Sequence, residues 1–237
     1  MLTLDSVSKS YRGPAGPVPV LREVDLQFSP GDLAVINGPS GCGKSTLLFT
    51  AGAMMPPDRG AVQLAGRSLY QLSRARRHQV RGTSVGFIFQ RFHLVPYLSV
   101  EDNILWPLRW SENPAQAARG LPALARRLLI GDRLQHRPAQ LSAGEQQRAA
   151  VARALIGQKS LICADEPTGN LDDDNAVIVD EILKEEAARG AIVLLVTHQR
   201  NLVGLGNVHI EWMADGPVVR KREDATPSDG RSRSAAG

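Results

Sequence analysis

Apolar residues alternate with polar ones at the start of the chain. Leu2, Leu4 and Val7 follow one such pattern, and Val24, Leu26 and Phe28 follow another. This spacing marks half-buried strands. The Gly/Pro-rich residues 13–19 between them read as a loop or hairpin tip. After the Pro30-Gly31 turn, residues 33–36 form an unbroken apolar run leading to Gly38. Such runs suit strands buried on both faces, and 85–89, 161–164 and 191–196 have the same character. A further small β element is expected from Val62 and Leu64 to Gly66. Helices are predicted over 45–52, 69–81, 100–106, 122–129, 145–156 and 175–189, the last closed by Gly190. A hairpin is predicted over 208–219, turning at Asp215-Gly216.

Strands that alternate with helices, several of them apolar throughout, imply an α/β fold with a mainly parallel sheet. The alternating strands at the N-terminus form a separate antiparallel β part. Helices dominate from about 90 to 158 and interrupt the alternation, so this stretch is expected to be an inserted helical subdomain in a single domain spanning 1–220. Residues 221–237 combine Pro, Gly, Ser and charge, and disorder is expected there.

Composition narrows the function. Of 237 residues, 43% are apolar and 22% charged, enough to build a sizeable core. The net charge of +4 is carried by local clusters such as Arg74, Arg76, Arg77 and Arg81, which read as a solvated helix face. Only 5% of residues are aromatic and no continuous basic stripe exists, so no nucleic-acid partner is expected. Cys42 and Cys163 form no C-x-x-C pair, and the histidines lack metal-ligand spacing, as expected in a reducing cytoplasm. No signal peptide is read at the N-terminus. The apolar run 191–196 is far short of the ~20 residues that span a bilayer. The chain is therefore expected to serve a membrane only through a partner.

Residues Gly38, Pro39, Ser40, Gly41, Cys42, Gly43, Lys44 and Ser45 fit G-x-x-x-x-G-K-[ST] between a predicted strand and a predicted helix, with Thr46 next. Glycines let backbone N–H groups close around phosphate oxygens, and the helix N-terminus adds partial positive charge. Lys44 can reach the β- and γ-phosphates of a bound nucleotide, and Ser45 can ligate Mg²⁺, a pattern that alone would fit a kinase, a GTPase or a motor. Asp165 and Glu166 close the buried run 161–164. Beside a phosphate loop, Asp165 is placed to hold Mg²⁺ and Glu166 to face the attacking water.

The segment Leu141-Ser142-Ala143-Gly144-Glu145-Gln146-Gln147-Arg148, with Ser142 23 residues before Asp165, resembles the L-S-G-G-Q signature of ABC ATPases. It has the makings of a second phosphate site, since a serine and a glycine precede a helix. The resemblance implies further roles in order along the chain. Tyr11 would stack on adenine, Gln90 would reach the metal, Gly169 to Asp172 would contact an opposing subunit, and His198 would contact γ-phosphate. Residues 89–103 resemble the group containing lipoprotein-releasing, macrolide-efflux and cell-division ATPases. Three departures stand out: Ala143 for the first signature glycine, Glu145 for glutamine, and Asp32 for the commoner glutamate. The Cβ of Ala143 is expected to crowd the approach to phosphate and to penalise a positive φ there.

The resemblance implies a P-loop NTPase core acting as a sandwich dimer. Lys44, Ser45, Gln90, Asp165, Glu166 and His198 would come from one subunit, Ser142 and Gly144 from the other, a second copy or a homologous subunit. It also implies a separate integral-membrane permease, a place on the cytoplasmic face of a bacterial inner membrane, and export or extraction of a lipid, lipoprotein or drug-like substrate. A cell-division-like regulator that signals through a membrane protein without moving cargo is the alternative. A soluble ABC ATPase of DNA repair or translation would bring coiled-coil insertions, zinc modules or fused halves. A small-molecule kinase would leave residues 142–148 unexplained.

Overall fold

The computed structural model describes residues 1–14, 16–198, 205–213 and 216–221, with only the backbone described at 220 and 221. Lys221, expected in the disordered tail, instead ends the last strand; the rest of that tail, 222–237, and Asp215 of the hairpin turn lie outside the described residues. Two sheets form the frame. β1 (Leu2–Gly13) and β2 (Gly16–Phe28) make a long antiparallel hairpin, and β4 (Arg59–Leu64) and β5 (Arg67–Ser68) extend it in the order β2-β1-β4-β5. The second sheet runs β10-β9-β3-β8-β7-β6. Its strands are β3 (Leu33–Asn37), β6 (Val85–Ile88), β7 (Leu161–Asp165), β8 (Ile192–Val196), β9 (Val208–Met213) and β10 (Gly216–Lys221). All its pairings are parallel except β9 with β10.

The central strands are buried on both faces. Along β3, Leu33 and Val35 point into one core while Ala34 and Ile36 point into the other. β8 does the same with Val193 and Leu195 against Leu194 and Val196. This two-sided burial is why these strands read as unbroken apolar runs.

The helices are α1 (Lys44–Ala51), α2 (Arg74–Ser84), α3 (Val100–Leu105), α4 (Pro114–Ala118), α5 (Leu121–Arg127), α6 (Ala143–Leu155) and α7 (Asp173–Ala188). A 3₁₀ turn, Trp106–Trp110, follows α3. The chain from α3 to α6 lies between β6 and β7, and one core joins it to the sheet through Ile104, Leu128, Val151 and Ile162. α2 has no fully buried residue; its Arg74 and Arg76 are exposed as expected, whereas Arg77 and Arg81 are half-buried.

The differences from the sequence reading have local causes. Residues 17–19, expected in a loop, belong to β2. β2 is an edge strand, where proline's missing N–H does no harm. α2 begins after Ser73, whose hydroxyl accepts from Arg76 N, rather than at Leu69. Leu69 is instead fully buried under the antiparallel sheet.

Candidate active site

The parallel register brings four strand ends together. Ile36 pairs with Val196, Asp165 with Val196, and Ala164 with Ile88. The residues that follow β3, β6, β7 and β8 therefore share one sheet edge, the usual place for a ligand in such sheets.

Residues 38–43 form the loop between β3 and α1. Gly43 has φ 109°, and a Cβ there would lie 2.7 Å from Val20 Cγ1, so only glycine fits. Gly41 has φ 78° with open space beside it. Lys44 is buried, and its Nζ donates to Gly38 O at 2.8 Å and Pro39 O at 2.6 Å. The ammonium thus sits inside the loop, beside Cys42. Pro39, Ser40 and Gly41 are exposed at its crest. Tyr11 Oη lies 3.1 Å from Thr46 Oγ1 at the start of α1, with its ring partly exposed.

The two acids at the end of β7, Asp165 and Glu166, divide their contacts. Ser45 Oγ donates to Asp165 Oδ2 at 2.7 Å. Glu166 turns away at φ 48°, its N–H donating to Val196 O. Its Oε2 accepts from Gln90 Nε2 at 3.3 Å, and its Oε1 lies 3.1 Å from His198 Nε2. Gln90, Glu166 and His198 are therefore in direct contact, as are Ser45 and Asp165. The latter pair offers two hard oxygens. That fits Mg²⁺, which takes few protein oxygens and completes its shell with phosphates and water. Among the described residues no cluster of three or more His, Cys, Asp or Glu could form an all-protein cage.

The signature segment lies elsewhere. Ser142 N-caps α6, accepting from Glu145 N at 3.2 Å, while Glu145 accepts from Ser142 N at 2.8 Å. This reciprocal box satisfies two helix-terminal donors. Arg133 Nε reaches Glu145 at 2.7 Å. The Ser142 N–H first, and then the guanidinium, hold the Glu145 carboxyl down at about 2. Ala143 is the first residue of α6 and is not among the residues with positive φ. The expected conformational penalty at Ala143 is therefore corrected: a helical position accepts a Cβ. A Cβ on Gly144 would meet only ordinary contacts, Arg148 at 3.5 Å and Leu171 at 3.6 Å. Ser142, Gly144 and Arg148 line a shallow cavity with Asn170, Leu171 and Asp172, and no residue of 38–46 reaches it.

The sequence reading missed several polar anchors. Gln147 is fully buried and donates to Pro167 O at 2.7 Å, tying α6 to the turn after Glu166. Asn170 donates to Gln90 O at 3.4 Å. Arg153 of α6 donates to Phe92 O at 2.8 Å and to His93 O. Asn103 accepts from Val95 N and donates to the carbonyls of Val95 and Ser99, holding residues 95–99. Only the apolar spacing of α6 hinted that positions 147 and 151 face inward together.

The ABC transporter family model matches residues 21–169. The chain belongs to the ABC transporter family. A "Lipoprotein-releasing system ATP-binding protein LolD 1" from Rhodopirellula baltica is 40% identical over 227 residues, 93% of this chain and 97% of that protein. A "Lipoprotein-releasing system ATP-binding protein LolD" from Shewanella sp. (strain MR-4) is 44% identical over 204 residues, 85% and 88% of the two chains. Among solved structures, the post-hydrolysis dimer of the ATP-binding cassette MJ0796 bound to ADP and Pi superposes with TM-score 0.85 at 31% identity. It covers 93% of this chain and 98% of that one. Another dimeric structure of MJ0796, a bacterial ABC transporter cassette, gives 0.81 at 32% identity over 89% and 94%. This ABC chain is therefore an ATP-binding and ATP-hydrolysing subunit. No helix among its described residues is long and apolar enough to cross a membrane.

Proposed function

We propose that two copies of this ABC subunit sandwich two MgATP molecules and power a separate membrane permease that releases lipoproteins or related lipid-bearing cargo. The observation that carries the sandwich is the separation of the two phosphate-binding elements. The phosphate loop and the Ser142–Gly144 cavity share no residue. Among the described residues nothing requires glycine at 144, where a Cβ would meet only ordinary contacts. The bare backbone there suits close approach by a group from outside the chain. The dimeric MJ0796 cassettes support the same arrangement. The lipoprotein cargo rests on the LolD relatives and on residues 89–103.

In this reading Lys44 and the loop N–H groups hold the phosphates, and Tyr11 offers its ring to the base. Ser45 and Asp165 hold the metal, with Gln90 beside them. Mg²⁺ would supply charge neutralisation on the phosphate oxygens. Glu166 orients and polarises the attacking water, and His198 stands by the γ-phosphate. Ser142 and Gly144 of the second copy close the site. The helical segment from about 90 to 158 passes the resulting motion to the permease at the cytoplasmic face of the inner membrane.

The test compares wild type with Glu166→Gln by light scattering and phosphate release. The variant is expected to form a stable dimer with ATP while hydrolysis falls at least 100-fold, the scale of losing a positioned base. Hydrolysis at the wild-type rate would remove Glu166 from the mechanism.

A further inference from the structure

A second cavity, of about 1310 Å³, contains none of the active-site residues. Its walls come from α2, the 3₁₀ turn after α3, α4, α5, the chain between α6 and β7, and the C-terminal half of α7. Leu108, Leu124, Leu155 and Ile182 supply apolar wall. Lys159 also lines it, yet is only 7% exposed. Its Nζ donates to Gly82 O at 3.0 Å. No carboxylate among the described residues pairs with it. Burial alone pulls the ammonium down to about 8, with no neighbouring charge contributing.

A buried ammonium without a counter-charge is unfavourable. It has three donors, and one carbonyl uses one of them. Elsewhere in the cavity the charges largely cancel. Arg127 and Arg189 are engaged by Glu185 and Glu186. Exposed Arg67 and Arg76 add positive charge, with Glu112 opposing it. The balance favours an anion. Capping of the α2 C-terminus by Lys159 explains the Gly82 contact. It explains neither the missing counter-charge nor the apolar space next to it.

We infer that this cavity binds a small amphipathic anion, its apolar body against Leu108, Leu124, Leu155 and Ile182 and its carboxylate or phosphate paired with Lys159. A free single-chain amphiphile and a membrane lipid headgroup share this chemistry.

The experiment is calorimetric titration of the full chain with decanoate, decyl phosphate and decanol, joined by co-sedimentation with phosphatidic acid vesicles. Either decanoate or decyl phosphate is expected to bind one per chain, at least tenfold tighter than decanol. Lys159→Met should weaken the anion at least tenfold, leave ATP hydrolysis unchanged and raise the thermal midpoint, because it removes an uncompensated buried charge. Leu124→Trp, which puts a bulky ring into the apolar wall and keeps Lys159, should weaken binding as well. Vesicle binding lost in Lys159→Met assigns the lipid source; amphiphile binding without vesicle binding assigns the free source. Equal binding of decanol, unchanged binding in both variants, or no binding of either anion overturns the inference. So does a Lys159→Met chain with a lowered midpoint and undiminished anion affinity, the result expected of a helix cap alone.

Discussion

Both carboxylate oxygens of Glu166 are engaged, one by Gln90 and one by His198, while its backbone sits at φ 48°. A non-glycine residue there carries about 1 kcal/mol or more of strain, stored in the residue whose side chain is proposed to polarise the reacting water. The signature segment carries no such strain, because Ala143 sits in the first turn of α6 with no positive φ. Ala143→Gly is thus expected to leave ATP-driven dimerisation unchanged and to lower stability by less than the ~1 kcal/mol that glycine costs in a helix interior, since Ala143 is the first helical residue. Sedimentation and urea denaturation check the two halves of that statement. Gln147 is a harsher case. Removing its side chain in Gln147→Ala leaves the Pro167 carbonyl without its donor, with an expected loss of about 1–3 kcal/mol in urea denaturation. Glu145 gives a pH signature. Its carboxyl titrates at about 2 in the folded chain against about 4.3 unfolded. A depressed acid contributes stability above the unfolded value and loses it as pH falls through the folded one. The thermal-midpoint advantage of wild type over Glu145→Gln should therefore be full above pH 5 and shrink toward zero near pH 2. An advantage that grows on acidification would contradict the Ser142 and Arg133 contacts.

Among the elements, α6 has the most connections. Its N-terminus presents Ser142, its buried face sends Gln147 to the turn after Glu166, and Arg153 grips the carbonyls of Phe92 and His93 just beyond Gln90. Movement of α6 therefore reaches both sides of the acidic strand end. Arg153→Met is expected to destabilise the chain by about 2–3 kcal/mol, since charge-assisted bonds to two carbonyls are lost. It should also speed amide exchange around residues 91–95. If exchange there is unchanged, Arg153 does not anchor that segment. These links show where the sequence ran out. The buried strands were legible because burial on two faces leaves an unbroken apolar run, as in β3 and β8. The phosphate loop, Asp165-Glu166 and residues 141–148 were legible because their chemistry lies in contiguous residues. Gln147 to Pro167, Arg153 to Phe92 and Lys159 to Gly82 were not, because each joins residues 20 or more positions apart with no periodic mark. Short α4 was missed because five residues give too little periodicity to read.

At the scale of the whole molecule, the question is which residues meet within one copy and which only between copies. Lys44, Ser45, Asp165, Glu166, Gln90 and His198 gather at one sheet edge, whereas the cavity at Ser142 excludes the phosphate loop. If two copies meet by a two-fold axis with the loop of one against the signature of the other, the reverse contact forms as well, and both sites form at once. Mixing two inactive variants tests this directly. Lys44→Ala spoils the loop, and Ser142→Arg blocks the signature. Each homodimer then has two defective sites. In the mixed dimer both defects fall in the same site, and the other site joins an intact loop to an intact signature. Random pairing makes about half the dimers mixed, so about a quarter of the wild-type number of intact sites should return. Phosphate release from the mixture should rise well above that of either variant alone, up to that fraction if each site fires independently. If loop and signature served one another within a single chain, every chain in the mixture would still carry a defect, and mixing would restore nothing.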